Sequence, residues 1–148
     1  IGTTKKSSPD KIEYRTVELD LPKKIAQICK SNNVKSFIFV SSGFADPKNS
    51  SEYLKFKGLV EEEIKNLNFG KIGILRPSFL LGNRKEKRMG EMIGIFIFQL
   101  LSPIFFGPLR KMKPIHSEIV ASSMVKIANS DLNKTVYESN EIVELSNS

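Results

Sequence analysis

The residues best suited to chemistry are Tyr53 and Lys57, four apart in Tyr53-Leu54-Lys55-Phe56-Lys57. On a helix, positions i and i+4 share one face. A free phenol titrates near pH 10, too high for a base at neutral pH. An ammonium within about 4–6 Å favours the phenolate and brings the phenol towards the range where proton transfer is efficient. Taken alone, such a pair is equally an ordinary helix-surface pair. Two other segments give it company. Ser41-Ser42 closes an apolar run, and a hydroxyl there can donate to a substrate carbonyl, although serines also simply end strands. Arg76-Pro77 closes a second apolar run. Proline there ends ladder pairing and leaves backbone groups free for a ligand, or is a plain strand terminator.

The elements around these residues set their positions. Val34 to Val40 contains Phe37-Ile38-Phe39-Val40, which reads as a strand buried on both faces of a parallel sheet. Asp46 to Ser51 reads as loop. Tyr53 to Leu67 reads as a helix with Leu59, Val60, Ile64 and Leu67 inside and Glu61, Glu62 and Glu63 largely outside. Ile72 to Leu75 is a second buried strand. Upstream, residues 1–20 read as a strand end and a polar loop, and Pro22 fits the first turn of a helix reaching Ser31-Asn32-Asn33. Downstream come helices at about 90–101 and 117–128, the latter with Ile119, Val120, Val125 and Ile127 in phase, then a short strand at Thr135 to Tyr137. Strands alternating with helices predict βαβ units: an α/β, doubly wound parallel sheet, in a single domain over residues 1–148. Ligands bind outside the carboxyl ends of such strands. Ser42, Tyr53 and Arg76-Pro77 would therefore share one rim.

Composition narrows the class. The 148 residues are 40% hydrophobic and 26% charged, which excludes a disordered, collagen-like or disulfide-framed chain. Cys29 is alone, so no internal disulfide forms; a reducing compartment fits, and a cytoplasmic location is expected. Most of the net +7 lies in Arg84-Lys85-Glu86-Lys87-Arg88 and Arg110-Lys111-Met112-Lys113. Between them, Met92 to Gly107 is apolar but interrupted, and too short for the roughly 20 residues a bilayer span needs. This stretch is read as a buried helix or substrate lid with solvated basic ends; a weak membrane-surface contact through 84–113 is the alternative. No nucleic-acid motif accompanies the charge, so no nucleic-acid partner is expected. No metal site is expected either.

The ordered set resembles the extended and atypical short-chain dehydrogenase/reductases. Phe37-Ile38-Phe39-Val40-Ser41-Ser42 looks like their strand ending in the catalytic serine, Tyr53 and Lys57 match their Tyr-x-x-x-Lys, and Arg76-Pro77-Ser78-Phe79-Leu80-Leu81-Gly82 matches the segment along the nicotinamide. The branch most similar is that of NAD(P)-binding, nucleoside-diphosphate-sugar-epimerase-like proteins. Ile1-Gly2-Thr3-Thr4-Lys5-Lys6, Val17-Glu18-Leu19-Asp20-Leu21-Pro22, Gly90-Glu91, and Pro108-Leu109-Arg110 with Pro114-Ile115 support that branch, so the resemblance covers nearly the whole chain. It implies a Rossmann-like fold, NAD or NADP as cofactor, a small-molecule substrate, and hydride transfer by an oxidoreductase or epimerase-like enzyme. The implied catalytic residues are Ser42, holding the substrate oxygen, Tyr53 as acid/base, and Lys57, lowering the Tyr53 pKa and binding the cofactor ribose. The implied cofactor-binding residues are Gly2, Thr3, Thr4, Ser41, Lys57, Pro77, Ser78 and Phe79. The segment at about 83–115 would form the substrate lid, and His116 is read chiefly as a helix-start residue.

The sequence also departs from that family. No G-x-G-x-x-G run occurs, so the turn that lets a backbone approach a pyrophosphate is missing, as is the residue that chooses between NAD and NADP. The chain reads as the C-terminal two-thirds of a longer protein. A non-catalytic NAD(P)-sensing protein and a peripheral membrane protein are the alternatives to an enzyme.

Overall fold

The structure is a computed structural model, and it describes residues 3, 9–78, 80–81, 114–132 and 134–147. The expected helix at 90–101, both basic runs and most of the expected lid lie outside them.

Strands β1 (Ser36–Val40), β2 (Lys71–Arg76) and β5 (Val136–Glu138) form one parallel sheet in the order β1-β2-β5. Ser36 pairs with Lys71 and Val40 with Leu75, while Ile74 pairs with Val136 and Arg76 with Glu138. Two further strands, β3 (Leu80–Leu81) and β4 (Ile115–His116), make a separate parallel pair. The strands alternate their side chains, as a pleated ribbon must. Phe37, Phe39 and Ile72 pack with Tyr14, Leu19, Ala26, Phe56, Val60 and Ile64, from helices α1 (Lys11–Arg15), α2 (Leu21–Ser31) and α3 (Glu52–Asn66) and the turn between α1 and α2. Ile38, Val40 and Leu75 pack with Val120, Ile127 and Ile142, from α4 (Ser117–Asn129) and α5 (Ser139–Asn147). Helices thus cover both faces of a parallel sheet, which is the expected α/β arrangement and is compatible with a Rossmann-like fold.

One glycine makes the second layer possible. A Cβ on Gly73 would stand 2.7 Å from Ile127 Cγ2 and 2.8 Å from Ile38 Cδ1. Helix α4 therefore sits as close to β2 as a bare backbone allows.

Three expectations are corrected. Residues 11–20 are helix, not loop. Asp10 caps α1 by accepting from the Ile12 N–H at 2.8 Å, and a π-helical turn over Thr16–Asp20 joins α1 to α2. Pro22 lies one turn beyond, where its ring would crowd the Glu18 carbonyl in a regular helix. The widened turn accommodates it, with the Leu21 N–H reaching back to the Thr16 carbonyl. Glu61 is fully buried rather than outside, because Ser41 and Arg76 satisfy its carboxylate. Val125 is exposed; the buried stripe of α4 runs through Val120, Ser123 and Ile127.

Candidate active site

Ser42 follows β1, and Tyr53 lies in the first turn of α3. The intervening loop is pressed onto that helix. A Cβ on Gly58 would stand 2.4 Å from the Asp46 carbonyl carbon and 2.4 Å from the Pro47 nitrogen. The Asp46 N–H donates to the Leu54 carbonyl at 3.2 Å. Phe44, two residues past Ser42, takes a left-handed backbone with φ 64° and leaves its ring exposed. The loop thereby folds back sharply enough to bring Ser42 to Tyr53.

The structure brings together the three residues singled out as catalytic. Ser42 stands beside the Tyr53 phenol, close enough to favour its charged form. Lys57 Nζ lies 5.5 Å from the Tyr53 ring centroid and 5.4 Å from that of Phe39. A fourth residue completes the group. Glu18, from the π-helical turn, places Oε2 3.1 Å from Lys57 Nζ, and both side chains are almost wholly buried. Glu18 Oε1 accepts the Thr3 N–H at 2.5 Å. The ammonium meets Oε2 off the hydrogen-bonding direction, which leaves that oxygen without a hydrogen-bond partner among the described residues.

This neighbour changes the electrostatics expected of the pair. Burial and then the Glu18 carboxylate push the Tyr53 phenol above the ordinary 10, while the neighbouring Ser42 hydroxyl pulls the other way. Lys57 was expected to lower it. With a carboxylate at 3.1 Å, the positive charge is largely neutralised before it reaches the phenol. Tyr14, one helical turn before Glu18, is pushed up to about 12 by burial and by the same carboxylate.

A second network lies beneath the rim. Ser41 Oγ donates to Glu61 Oε1 at 2.6 Å, so Ser41 is engaged in the scaffold. Arg76 donates to both Glu61 oxygens and reaches Glu138 Oε1 at 3.4 Å. The carboxyl ends of β1 and β2 meet here, with the Gly43 N–H donating to the Pro77 carbonyl at 2.8 Å. Gly43 also lets Ser78 close in, since a Cβ there would stand 3.3 Å from Ser78 Cα. The Ser78 N–H goes to Ser139 Oγ at 2.8 Å. Among the remaining expected cofactor contacts, Gly2, Thr4 and Phe79 lie outside the described residues. His116 is an exposed residue at the start of α4.

Glu18 and Glu61 escaped the reading of the sequence. Tyr14, Glu18, Pro22 and Ala26 are buried at four-residue intervals. That spacing was visible, but a glutamate and a proline within it disguise a buried helix face.

A hydroxyl, a phenol, an ammonium and a buried carboxylate form a donor and acceptor set suited to a substrate carbonyl and to ribose hydroxyls. Among the described residues, no group of three or more His, Cys, Asp and Glu side chains could hold a metal. No helix among them is long and apolar enough to cross a membrane.

No protein-family model matches the chain. It is similar to the protein FMP52, mitochondrial, of Coccidioides immitis, at 38% identity over 64% of this chain and 39% of the relative. It is similar to fmp52, mitochondrial, of Emericella nidulans, at 27% identity over 97% of this chain and 61% of the relative. It is also similar to the protein HTATIP2 of Rattus norvegicus, at 36% identity over 74% of this chain and 41% of the relative. The chain thus spans roughly two fifths to three fifths of the length of these curated relatives. Several relatives are named mitochondrial, which overturns the expected cytoplasmic location. A lone cysteine rules out an internal disulfide but does not distinguish one reducing compartment from another.

Proposed function

We propose that this chain carries the acid–base half of an NAD(P)-dependent oxidoreductase of the atypical short-chain dehydrogenase/reductase type, working in mitochondria. The observation that carries the reading is the Lys57 ammonium 5.5 Å from the Tyr53 ring, with Ser42 beside the same phenol, at the carboxyl rim of a parallel sheet. The similarity to FMP52 proteins and HTATIP2 supports it and points to the same location.

When bound, a nicotinamide dinucleotide supplies the hydride. The chain's own residues do the rest. Ser42 orients the substrate oxygen. Tyr53 exchanges a proton with that oxygen through its phenol. Lys57 would offer its ammonium to ribose hydroxyls, and Thr3, Pro77 and Ser78 would help hold the cofactor. Ser41 and Arg76 hold the two strand ends in register through Glu61.

The test is turnover of a panel of carbonyl substrates by the full-length protein with NADH and NADPH. Tyr53→Phe should remove turnover while leaving cofactor affinity within a few fold. Turnover that survives Tyr53→Phe overturns the mechanism. Cofactor binding with no turnover in the unaltered protein overturns the enzyme reading in favour of a sensor.

A further inference from the structure

We propose that Glu18 is a positioning residue for Lys57, and that its buried carboxylate decides how much of the ammonium's charge reaches the Tyr53 phenol. The inference deepens the proposed function and rests on it for its catalytic meaning. Glu18 is 1% exposed. A carboxylate so deep is tolerated only when paired. Among the described residues it meets the Lys57 ammonium and accepts the Thr3 N–H. Its placement is specific. The π-helical turn over Thr16–Asp20 widens the helix at Glu18, one turn before Pro22. Such turns redirect the side chains they carry.

Among the described residues, Glu18 is the charge that opposes Lys57. Tyr14 comes from its own helix; Lys57, Tyr53 and the more distant Glu52 come from α3; Thr3 contributes a backbone N–H. Arg15 and Asp20 pair with each other at the surface, at 3.6 Å. Among the described residues, Lys57 lies between two aromatic rings and Glu18, and the carboxylate is the strongest attraction on it. While that contact holds, the Tyr53 phenol keeps its proton more tightly than it would beside an unopposed ammonium.

The test follows the phenol directly in the full-length protein. Tyrosine ζ-carbon NMR across the alkaline range reports each phenol, and Tyr53 is assigned by the resonance lost in Tyr53→Phe. Glu18→Gln keeps the shape and removes the charge, and the Tyr53 midpoint should fall by roughly one pH unit. Glu18→Asp should restore most of the original value. Lys57→Met, which leaves the carboxylate unopposed, should move the midpoint upward. A Tyr53 midpoint unchanged in Glu18→Gln, with only thermal stability reduced, overturns the proposal. Should Glu18→Gln not fold, an unchanged midpoint in Lys57→Met overturns it instead. The readout needs no turnover. A shifted midpoint in a protein without activity sinks the oxidoreductase reading alone, and an unshifted one in an active protein sinks this inference alone.

Discussion

Arg76 grips Glu61 with both arms of its guanidinium, Nε to Oε1 at 2.9 Å and Nη2 to Oε2 at 2.6 Å. The fork geometry matches a carboxylate, and a charge-assisted pair of this kind is about twice as strong as neutral hydrogen bonds. Glu61 is 1% exposed, and it also accepts from Ser41. One carboxylate therefore ties helix α3 to the carboxyl ends of both β1 and β2, directly below the candidate site. The hydrogen bond from Arg76 to Glu61 is the main reason its guanidinium is held even more firmly charged than usual.

Glu61→Ala should cost about 3 kcal/mol, because it strands Arg76 and Ser41 as well as emptying a buried site. Glu138 remains as a weaker partner for Arg76 and limits the loss. Urea unfolding of the full-length protein measures this, and a cost well under about 1 kcal/mol would contradict the network's role.

Gly58→Ala should destabilise, against the usual sign. In a helix interior alanine is favoured over glycine by roughly 1 kcal/mol. Here the new methyl would stand 2.4 Å from backbone atoms of Asp46 and Pro47, which have no rotamer to escape into. The loop has to lift, at about 1–3 kcal/mol. Because that loop sets Ser42 against Tyr53, activity should fall more steeply than stability. Thermal denaturation alongside turnover compares the two.

Phe44→Gly should raise stability. A bulky residue at φ 64° carries strain of about 1 kcal/mol that glycine does not have. Phe44 is 57% exposed, so removing its side chain sacrifices little burial. A higher melting temperature is the expected result; a drop of several degrees would mean that the ring is packed in solution.

Stability should decline at alkaline pH through Tyr14. The proton is held more tightly in the folded chain, with the phenol at about 12, than in an unfolded chain at the ordinary 10. The contribution is therefore full below pH 10 and drains away as pH rises towards 12. Denaturant midpoints from pH 9 to 12 should fall less steeply in Tyr14→Phe than in the unaltered protein.

The parts of the site legible in the sequence were those with period and punctuation. Phe37-Ile38-Phe39-Val40 announces β1 because a strand covered on both faces needs no polar alternation. Tyr53 and Lys57 were legible because four residues make a helical turn. Glu18 was not, since a glutamate inside a polar stretch reads as solvated and only tertiary pairing with Lys57 buries it. Helix α1 was hidden for the same reason, its buried face joining Tyr14 to Glu18 in place of an apolar stripe. Helix α5 was not read from the sequence; it begins Ser139-Asn140, and Ile142 anchors it in the second layer. The pair β3–β4 has two residues per strand, too few to show any period.

Helices α2 and α3 finish alike, each followed by an asparagine in the left-handed conformation, Asn33 at φ 58° and Asn68 at φ 50°. Three residues beyond each asparagine a strand begins, at Ser36 and at Lys71, and those two residues are partners in the sheet. The hinges act as matched starting blocks: two strands leave from the same line because two helices stop in the same way. One residue added to the hinge at Asn33 would send Phe37 and Phe39 towards α4 instead of α3, turning that side of the sandwich inside out.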